Sequence, residues 1–386
     1  MKNKFLIPLI SFFFIAVITG YLYALYFYTI KCDGWITGDW LVNFQAGFVR
    51  RGLCGYLILG LSDFLKLKPN FTVMWIQIAI YIAYMLVLFL LLYRKEINIW
   101  FLILLLSPVT LRFTILDPRT VGRKEIILLL LYGLYILCLN RKVLKSYLVI
   151  FLFSAALLIA TLFHELVFFY TPYFILAAYL KAKIDDEPFH FLKTVLVISG
   201  SFLIMIPIYL FGKTINGSVI CSGLMEKGLS DNICKGILAP WTKDFGMKDA
   251  LIHAKEHGYY PAYGTCLFLG LLPFALYIKY SKNYIAPLKK FLVAFLFLFL
   301  FSFPLFLFAI DWGRWLNIHF MLLLFTSTLL LKDISYESKV NWSNEYLAIP
   351  LLWKSEVTLF KLSNNVVFVL LSISYIILWS MQHFLW

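Results

Sequence analysis

Charge is what this sequence has least of. Only 14% of its 386 residues are Asp, Glu, Lys or Arg, and the acidic sign is the scarcer, 20 residues against 34 basic ones. An ordinary soluble domain carries roughly 25% charged residues, so the supply is too small to cover a water-facing surface, and that class is excluded. Cofactor and nucleotide motifs are missing as well. There is no glycine-rich phosphate loop, dinucleotide fingerprint, paired-His metalloprotease helix or haem attachment sequence. The six cysteines do not fall at zinc-site spacings, and no convincing inverted repeat of the transporter kind is visible.

What fills the space is apolar. Hydrophobic residues make up 62% of the chain, and several runs reach the ~20 residues needed to cross a hydrocarbon core about 30 Å thick. They recur from end to end, which predicts one integral membrane domain over residues 1–386. The first run, Phe5 to Ile30, is too long for a signal-peptide core and lacks a small-residue cleavage site, so it is expected to stay as a helix. Lys2 and Lys4 ahead of it place the N-terminus in the cytoplasm by the positive-inside rule. Later spans are predicted near 71–93, 98–116, 126–140, 147–163, the run before Lys181, 194–212, 261–279, the run before Asp311, 316–331 and 363–382. The expected fold is therefore all-α, a polytopic transmembrane helical bundle of about 11 spans in a bacterial inner membrane. Residues 31–70 form a first extracytoplasmic segment, interfacial or re-entrant; 213–260 form a long extracytoplasmic loop, and 332–362 a cytoplasmic one. The net charge of +14 suggests nucleic acid at first sight. Its Lys and Arg are instead dispersed among short loops, as topology signals facing anionic lipid are, so no nucleic-acid partner is expected.

This topology puts Cys221 and Cys234 together in the long outside loop. An oxidising exterior permits a disulfide there, and that pairing is preferred to free thiols. Cys32 and Cys54 flank the first outside loop, while Cys138 and Cys266 lie in spans as small packing residues.

Four outside segments carry side chains that are costly at a membrane boundary. The first runs from Gly38-Asp39-Trp40 to Gly47-Phe-Val-Arg50-Arg51-Gly52; its adjacent arginines suit bidentate contact with phosphate or carboxylate, or with lipid head groups. The second is Asp117-Pro-Arg119-Thr-Val-Gly-Arg123-Lys124-Glu125. Arginines outside contradict the usual bias, and binding of a polyanion explains them; a salt bridge from Asp117 or Glu125 between helix ends is the plainer alternative. The third is His164-Glu165, where a partly desolvated carboxylate raised in pKa beside an imidazole suits a general base, against a structural hydrogen bond between helices. As neighbours on a helix the two point about 100° apart, which disfavours joint metal ligation. The fourth, Asp311-Trp-Gly-Arg314-Trp315, offers either an i,i+3 pair or part of a pocket.

On Phe48-Val-Arg-Arg-Gly52, Val121-Gly-Arg-Lys-Glu125, Phe163-His-Glu165 and Asp311-Trp-Gly-Arg314, together with its general plan, the chain resembles the Wzy-type polymerases of bacterial surface polysaccharides. More distantly it resembles the GT-C class of membrane glycosyltransferases. The resemblance implies glycosyl transfer outside the cytoplasmic membrane from a polyprenyl-pyrophosphate-linked saccharide, most simply polymerisation of O-antigen or capsule repeat units. It also implies membrane lipid and other polysaccharide-assembly proteins as partners. No cofactor is expected, with a divalent metal left open. The GT-C class places a catalytic acidic residue in the first outside loop, where Asp33 and Asp39 stand. The expected roles are Glu165 or Asp39 as base, His164 orienting it, and Arg50, Arg51, Arg119, Arg123 and Lys124 on pyrophosphate or acidic sugar. Asp117, Asp311 and Arg314 complete the pocket. A GT-C type transferase using a polyprenyl-phosphate sugar is the nearer alternative, and those from other classes are a transporter or flippase, a membrane acyltransferase and a non-catalytic assembly factor.

Overall fold

The computed structural model describes residues 6–93, 95, 97, 99–107, 109–111, 113, 120–212, 216–239, 246–280 and 288–331. The predicted span 363–382, the loop 332–362, Asp117 and Arg119 lie outside the described residues. Within them the chain is helical and contains no strand.

The first two long helices, α1 (Leu6–Ile30) and α4 (Pro69–Leu92), pack side by side. Pro69 opens α4 at its first turn, where a missing N–H breaks no helical bond. Between them the 31–70 segment holds α2 (Thr37–Trp40), a 3-10 turn at Phe44–Ala46 and α3 (Gly52–Leu65). One face of α3 is buried through Cys54, Ile58 and Leu59, while Tyr56, Leu57, Phe64 and Leu65 remain exposed.

The third predicted span is shorter than expected. Helix α5 covers Ile99–Leu106, and the chain turns at Ser107. Ser107 precedes a proline, which disfavours helical backbone there. The Thr110 hydroxyl then donates back to the Leu104 carbonyl at 2.6 Å, and Asn317 Nδ2 donates to the Val109 and Thr110 carbonyls at 2.8 and 3.1 Å. These bonds satisfy carbonyls that a continuing helix would have used.

Helices α6 (Glu125–Asn140), α7 (Tyr147–Phe163), α8 (Leu166–Tyr170), α9 (Pro172–Ile184) and α10 (Phe191–Phe211) follow. The stretch predicted as a long loop is itself partly helical, with α11 (Gly217–Glu226), a 3-10 turn at Asp231–Lys235 and α12 (Met247–Glu256). The last described helices are α13 (Tyr259–Tyr280), α14 (Leu288–Phe308) and α15 (Trp312–Thr328). By length and composition α4 and α10 are able to cross a membrane.

Polarity is distributed inside out. The outer faces of α7 and α10 present Leu148, Phe151, Leu152, Leu203, Leu210 and Phe211 to the surroundings. In the middle, α15 is buried from Trp315 to Thr328, and its polar groups are matched: Thr326 Oγ1 lies 2.6 Å from the Tyr132 hydroxyl, and His319 lies 2.7 Å from both Tyr173 and Ser302 hydroxyls. A buried polar group without such a partner costs about 1–3 kcal/mol.

Among the described residues helices α7 and α10 share the most extensive helix–helix contact, and small residues let their backbones approach. The Gly200 N–H donates to Ser154 Oγ at 3.1 Å, and Thr161 and Ser201 hydroxyls meet at 2.8 Å. A Cβ at Gly200 would run into the Ser154 carbonyl. Gly200→Val is therefore expected to destabilise the protein by about 1–3 kcal/mol through overpacking, lowering its thermal midpoint in detergent. Leu203→Val on the exposed side of the same helix should leave the midpoint nearly unchanged.

Candidate functional site

The Gly122 peptide joins three parts of the chain at one end of the bundle. Its carbonyl accepts from Trp40 Nε1 at 2.5 Å and from Gln77 Nε2 at 2.7 Å, and its N–H donates to the Tyr81 hydroxyl at 3.1 Å. Glycine is required here: φ is +84°, and a Cβ would press on Ile36, Leu25 and Gln77. Arg123 continues the tie, donating to the Trp35 carbonyl at 2.7 Å with its guanidinium over the Trp35 ring. The first loop is held from its other side as well. Cys221 and Cys234 form a disulfide with Cα atoms 5.7 Å apart. The turn containing Cys234 rests on that loop, Asn232 donating to the Lys31 carbonyl at 3.3 Å and Ile237 N–H to the Gly34 carbonyl at 3.4 Å.

The third segment enters through a break in the helix. His164 has extended backbone, φ −158° and ψ 114°, between α7 and α8, so it and Glu165 are not neighbours on a continuous helix. Both face the same cluster, with Nδ1 of His164 3.7 Å from Oε2 of Glu165. The expectation that helical geometry would part them is corrected by this break. Arg51 meets Glu165 bidentately, Nε to Oε2 at 2.9 Å and Nη2 to Oε1 at 2.7 Å, and its Nη1 lies 3.5 Å from Asp39 Oδ1. Arg51 itself sits in the left-handed region at φ +67°. Such backbone in a non-glycine residue costs on the order of 1–3 kcal/mol and persists where its surroundings fix it.

Asp39 and Lys124 lie deepest, with exposures of 1% and 0%. Lys124 Nζ is 4.0 Å from Asp39 Oδ1. Among the described residues neither that ammonium nor Asp39 Oδ2 has a hydrogen-bond partner. Arg50 stands at the rim, its side chain 53% exposed and 3.8 Å from Glu165. In the fourth segment Arg314 pairs with Asp311 and donates from Nη1 to Glu125 Oε1 at 2.7 Å. The i,i+3 pair and the Glu125 bridge expected as plain alternatives are thus both present, within one network.

Of the residues singled out from sequence, Asp39, Arg50, Arg51, Lys124, His164 and Glu165 come together, and Arg123, Asp311 and Arg314 join them through Glu125. Asp33 is set apart: its Oδ1 caps the Trp35 and Ile36 N–H groups at 2.9 and 2.8 Å. Among the described residues no group of His, Cys, Asp or Glu is arranged to hold a metal ion. Sequence reasoning missed Trp40, Gln77 and Tyr81 as the holders of Gly122. The amide of Gln77, set among apolar residues within a 24-residue helix, was the available signal.

The Glu165 carboxyl behaves opposite to expectation. Burial pushes it up, but the Arg51 guanidinium outweighs burial and, with Arg50, holds it well below the usual carboxylate range. Glu165 is therefore a fixed anion that seats Arg51, not a base poised near neutrality. For Asp39, burial is likewise overcome by Lys124, Arg51 and Arg123, and the carboxyl stays ionised. His164 moves down to about 4, through burial first and the nearby Arg51 second. Its Nδ1 accepts the Leu166 N–H at 3.2 Å, which fixes the neutral tautomer.

A pH dependence follows. The unfolded chain protonates this imidazole near 6.5, the folded chain only near 4. Between those values the unfolded state binds more protons, so stability falls as pH falls from 6.5 toward 4; the depressed carboxylates begin to add their own loss below about pH 5. The thermal midpoint of detergent-solubilised protein should drop across that window, and His164→Gln should flatten the drop.

No curated protein and no solved structure matches the chain. The model of a family described as uncharacterised membrane protein Rv1490 matches residues 9–239, more than half of the chain and three of the four segments that build the site. The polar interior, the apolar exterior and this match lead to one conclusion: the chain belongs to the Rv1490 family of membrane proteins.

Proposed function

We propose that this protein is a multi-pass inner-membrane glycosyltransferase with about 11 spans that works on the extracytoplasmic face. It takes a sugar or oligosaccharide from a polyprenyl-pyrophosphate donor, and its product is polymerised surface polysaccharide. The observation that carries this reading is Asp39: a buried carboxylate in the first loop, with one oxygen lacking a hydrogen-bond partner and an equally unpartnered ammonium beside it.

In this scheme the acceptor hydroxyl attacks the anomeric carbon, the bond from that carbon to the phosphate oxygen breaks, and the hydroxyl proton passes to Asp39. Lys124 and Arg50 carry the charge of the departing pyrophosphate. Asp39 is a weak base while cations alone surround it. A bound pyrophosphate offsets those cations and raises the proton affinity of Asp39 when it is needed. Glu165 holds Arg51 in place, and His164 packs behind that pair.

Gathering of ionisable groups at one end favours chemistry at a boundary over a translocation path, which needs such groups along its length. The test is the glycan ladder of cells lacking the gene, complemented with wild-type or Asp39→Asn protein at matched abundance. Wild type should restore long chains. Asp39→Asn should reduce them by 100-fold or more, on the order expected for loss of a general base. An unchanged ladder in the deletion strain overturns the polymerase assignment; full activity of Asp39→Asn removes that residue as base.

A further inference from the structure

The stretch from Gly217 to Ala239 lies against the first extracytoplasmic segment as a strap, and it touches that segment both before and after Asp39. Its first half, α11, meets the part after Asp39. A Cβ at Gly223 would run into the Gln45 amide, and Lys227 Nζ meets the Asp63 carboxylate of α3 at 2.6 and 2.9 Å. Its second half, the 3-10 turn at Asp231–Lys235 and the residues that follow, meets the part before Asp39. The Gly34 and Gly236 backbones approach so closely that a Cβ on either would strike the other, and the Ile233 carbonyl stands over Gly38. Asn232 donates to the Lys31 carbonyl and the Ile237 N–H to the Gly34 carbonyl.

These contacts bracket the residues the site uses. Trp35 holds Arg123, Asp39 follows Gly38 directly, and Arg51 stands in sequence between Gln45 and Asp63. The two halves of the strap are joined covalently by Cys221 in α11 and Cys234 in the turn, and by packing in which Ile220, Leu224 and Ile233 are wholly buried. The disulfide makes the strap one body, so the two parts of the loop it touches are held in register. Cys221 is buried, whereas Cys234 is half-buried in a turn whose Asp231, Asn232 and Lys235 are exposed, within reach of a small thiol.

We infer that the Cys221–Cys234 disulfide is a redox latch on the charged site: closed, it holds the first loop so that Trp35, Asp39 and Arg51 meet their partners; open, it frees that loop and leaves the helix bundle folded. Opening is exchange with a dithiol. One reductant thiolate attacks Cys234 Sγ, the S–S bond breaks, and Cys221 leaves as thiolate. The second reductant thiol then displaces Cys234, so two electrons pass to the protein and the reductant ends as a cyclic disulfide. Closing is the same exchange reversed, with a disulfide as oxidant. The effect on transfer rests on the reading proposed above; the latch itself does not.

The experiment is hydrogen–deuterium exchange with mass spectrometry on the full chain in lipid nanodiscs, before and after dithiothreitol. Reduction should speed exchange of the amides in residues 33–46 by about ten-fold or more, within the effect of opening a short closed loop, and leave α7 and α10 unchanged. Oxidised glutathione, added after the reductant is removed, should restore slow exchange. Cys221→Ser should exchange at the reduced rate and ignore dithiothreitol, which separates this pair from the four free cysteines; reduction of folded wild type decides should that variant fail to fold. Unchanged exchange in 33–46 after reduction verified by thiol alkylation overturns the latch, as does a rise that extends equally through α7 and α10. A redox-dependent loop beside an unchanged ladder in the deletion strain keeps the latch and removes the transferase reading; a lost ladder with a loop indifferent to reduction does the reverse.

Discussion

A single peptide group organises the charged end of this molecule. The Gly122 carbonyl and N–H are met by Trp40 from the first loop and by Gln77 and Tyr81 from α4, so three stretches far apart in sequence share one anchor. In a low-dielectric interior such bonds face little competition from water, and leaving any partner unpaired is costly. With the anchor fixed, the direction of the next three side chains is fixed too. Arg123 reaches Trp35, Lys124 reaches Asp39 and Glu125 reaches Arg314. Everything described of the site is built outward from that geometry.

The second constraint is that buried charge be compensated. Asp39, Arg51, Glu165, Lys124, Glu125 and Arg314 are each buried or nearly so, and each has an opposite charge within reach. Removing one member exposes its partner's full desolvation cost, typically about 3–5 kcal/mol for a buried pair. A network under that constraint has few alternative arrangements. Its unpartnered atoms, on Asp39, Arg123, Lys124 and Glu125, are the exceptions within it.

Much of the helix plan was legible in the sequence, because apolar runs and Lys-rich turns mark helices and their ends directly. The runs near 71–93, 126–140, 147–163 and 194–212 coincide with α4, α6, α7 and α10. The run 98–116 misled, since composition does not register that Thr110 and Asn317 compete for the carbonyls that would extend α5. The Cys221–Cys234 pairing was legible from its shared loop. The polar segments were legible as anomalies, and their convergence was not: nothing local in Gly122 says that Gln77 and Trp40 will meet it. Glu165 was misjudged for the same reason. A carboxylate in an apolar stretch reads as raised in pKa until Arg51, 114 positions away, is placed against it.

The clamp between Arg51 and Glu165 also sets terms for whatever anion approaches. Arg51 is already engaged by a tethered carboxylate, present at an effective concentration no dilute solute can match. On the transferase reading proposed above, a singly charged head group would offer Arg51 no more than Glu165 already provides. A ligand with two adjacent negative charges can hold Arg51 and Lys124 together, which Glu165 does not do. On that reading the resting pair would act as a threshold, set by the number and spacing of an anion's charges.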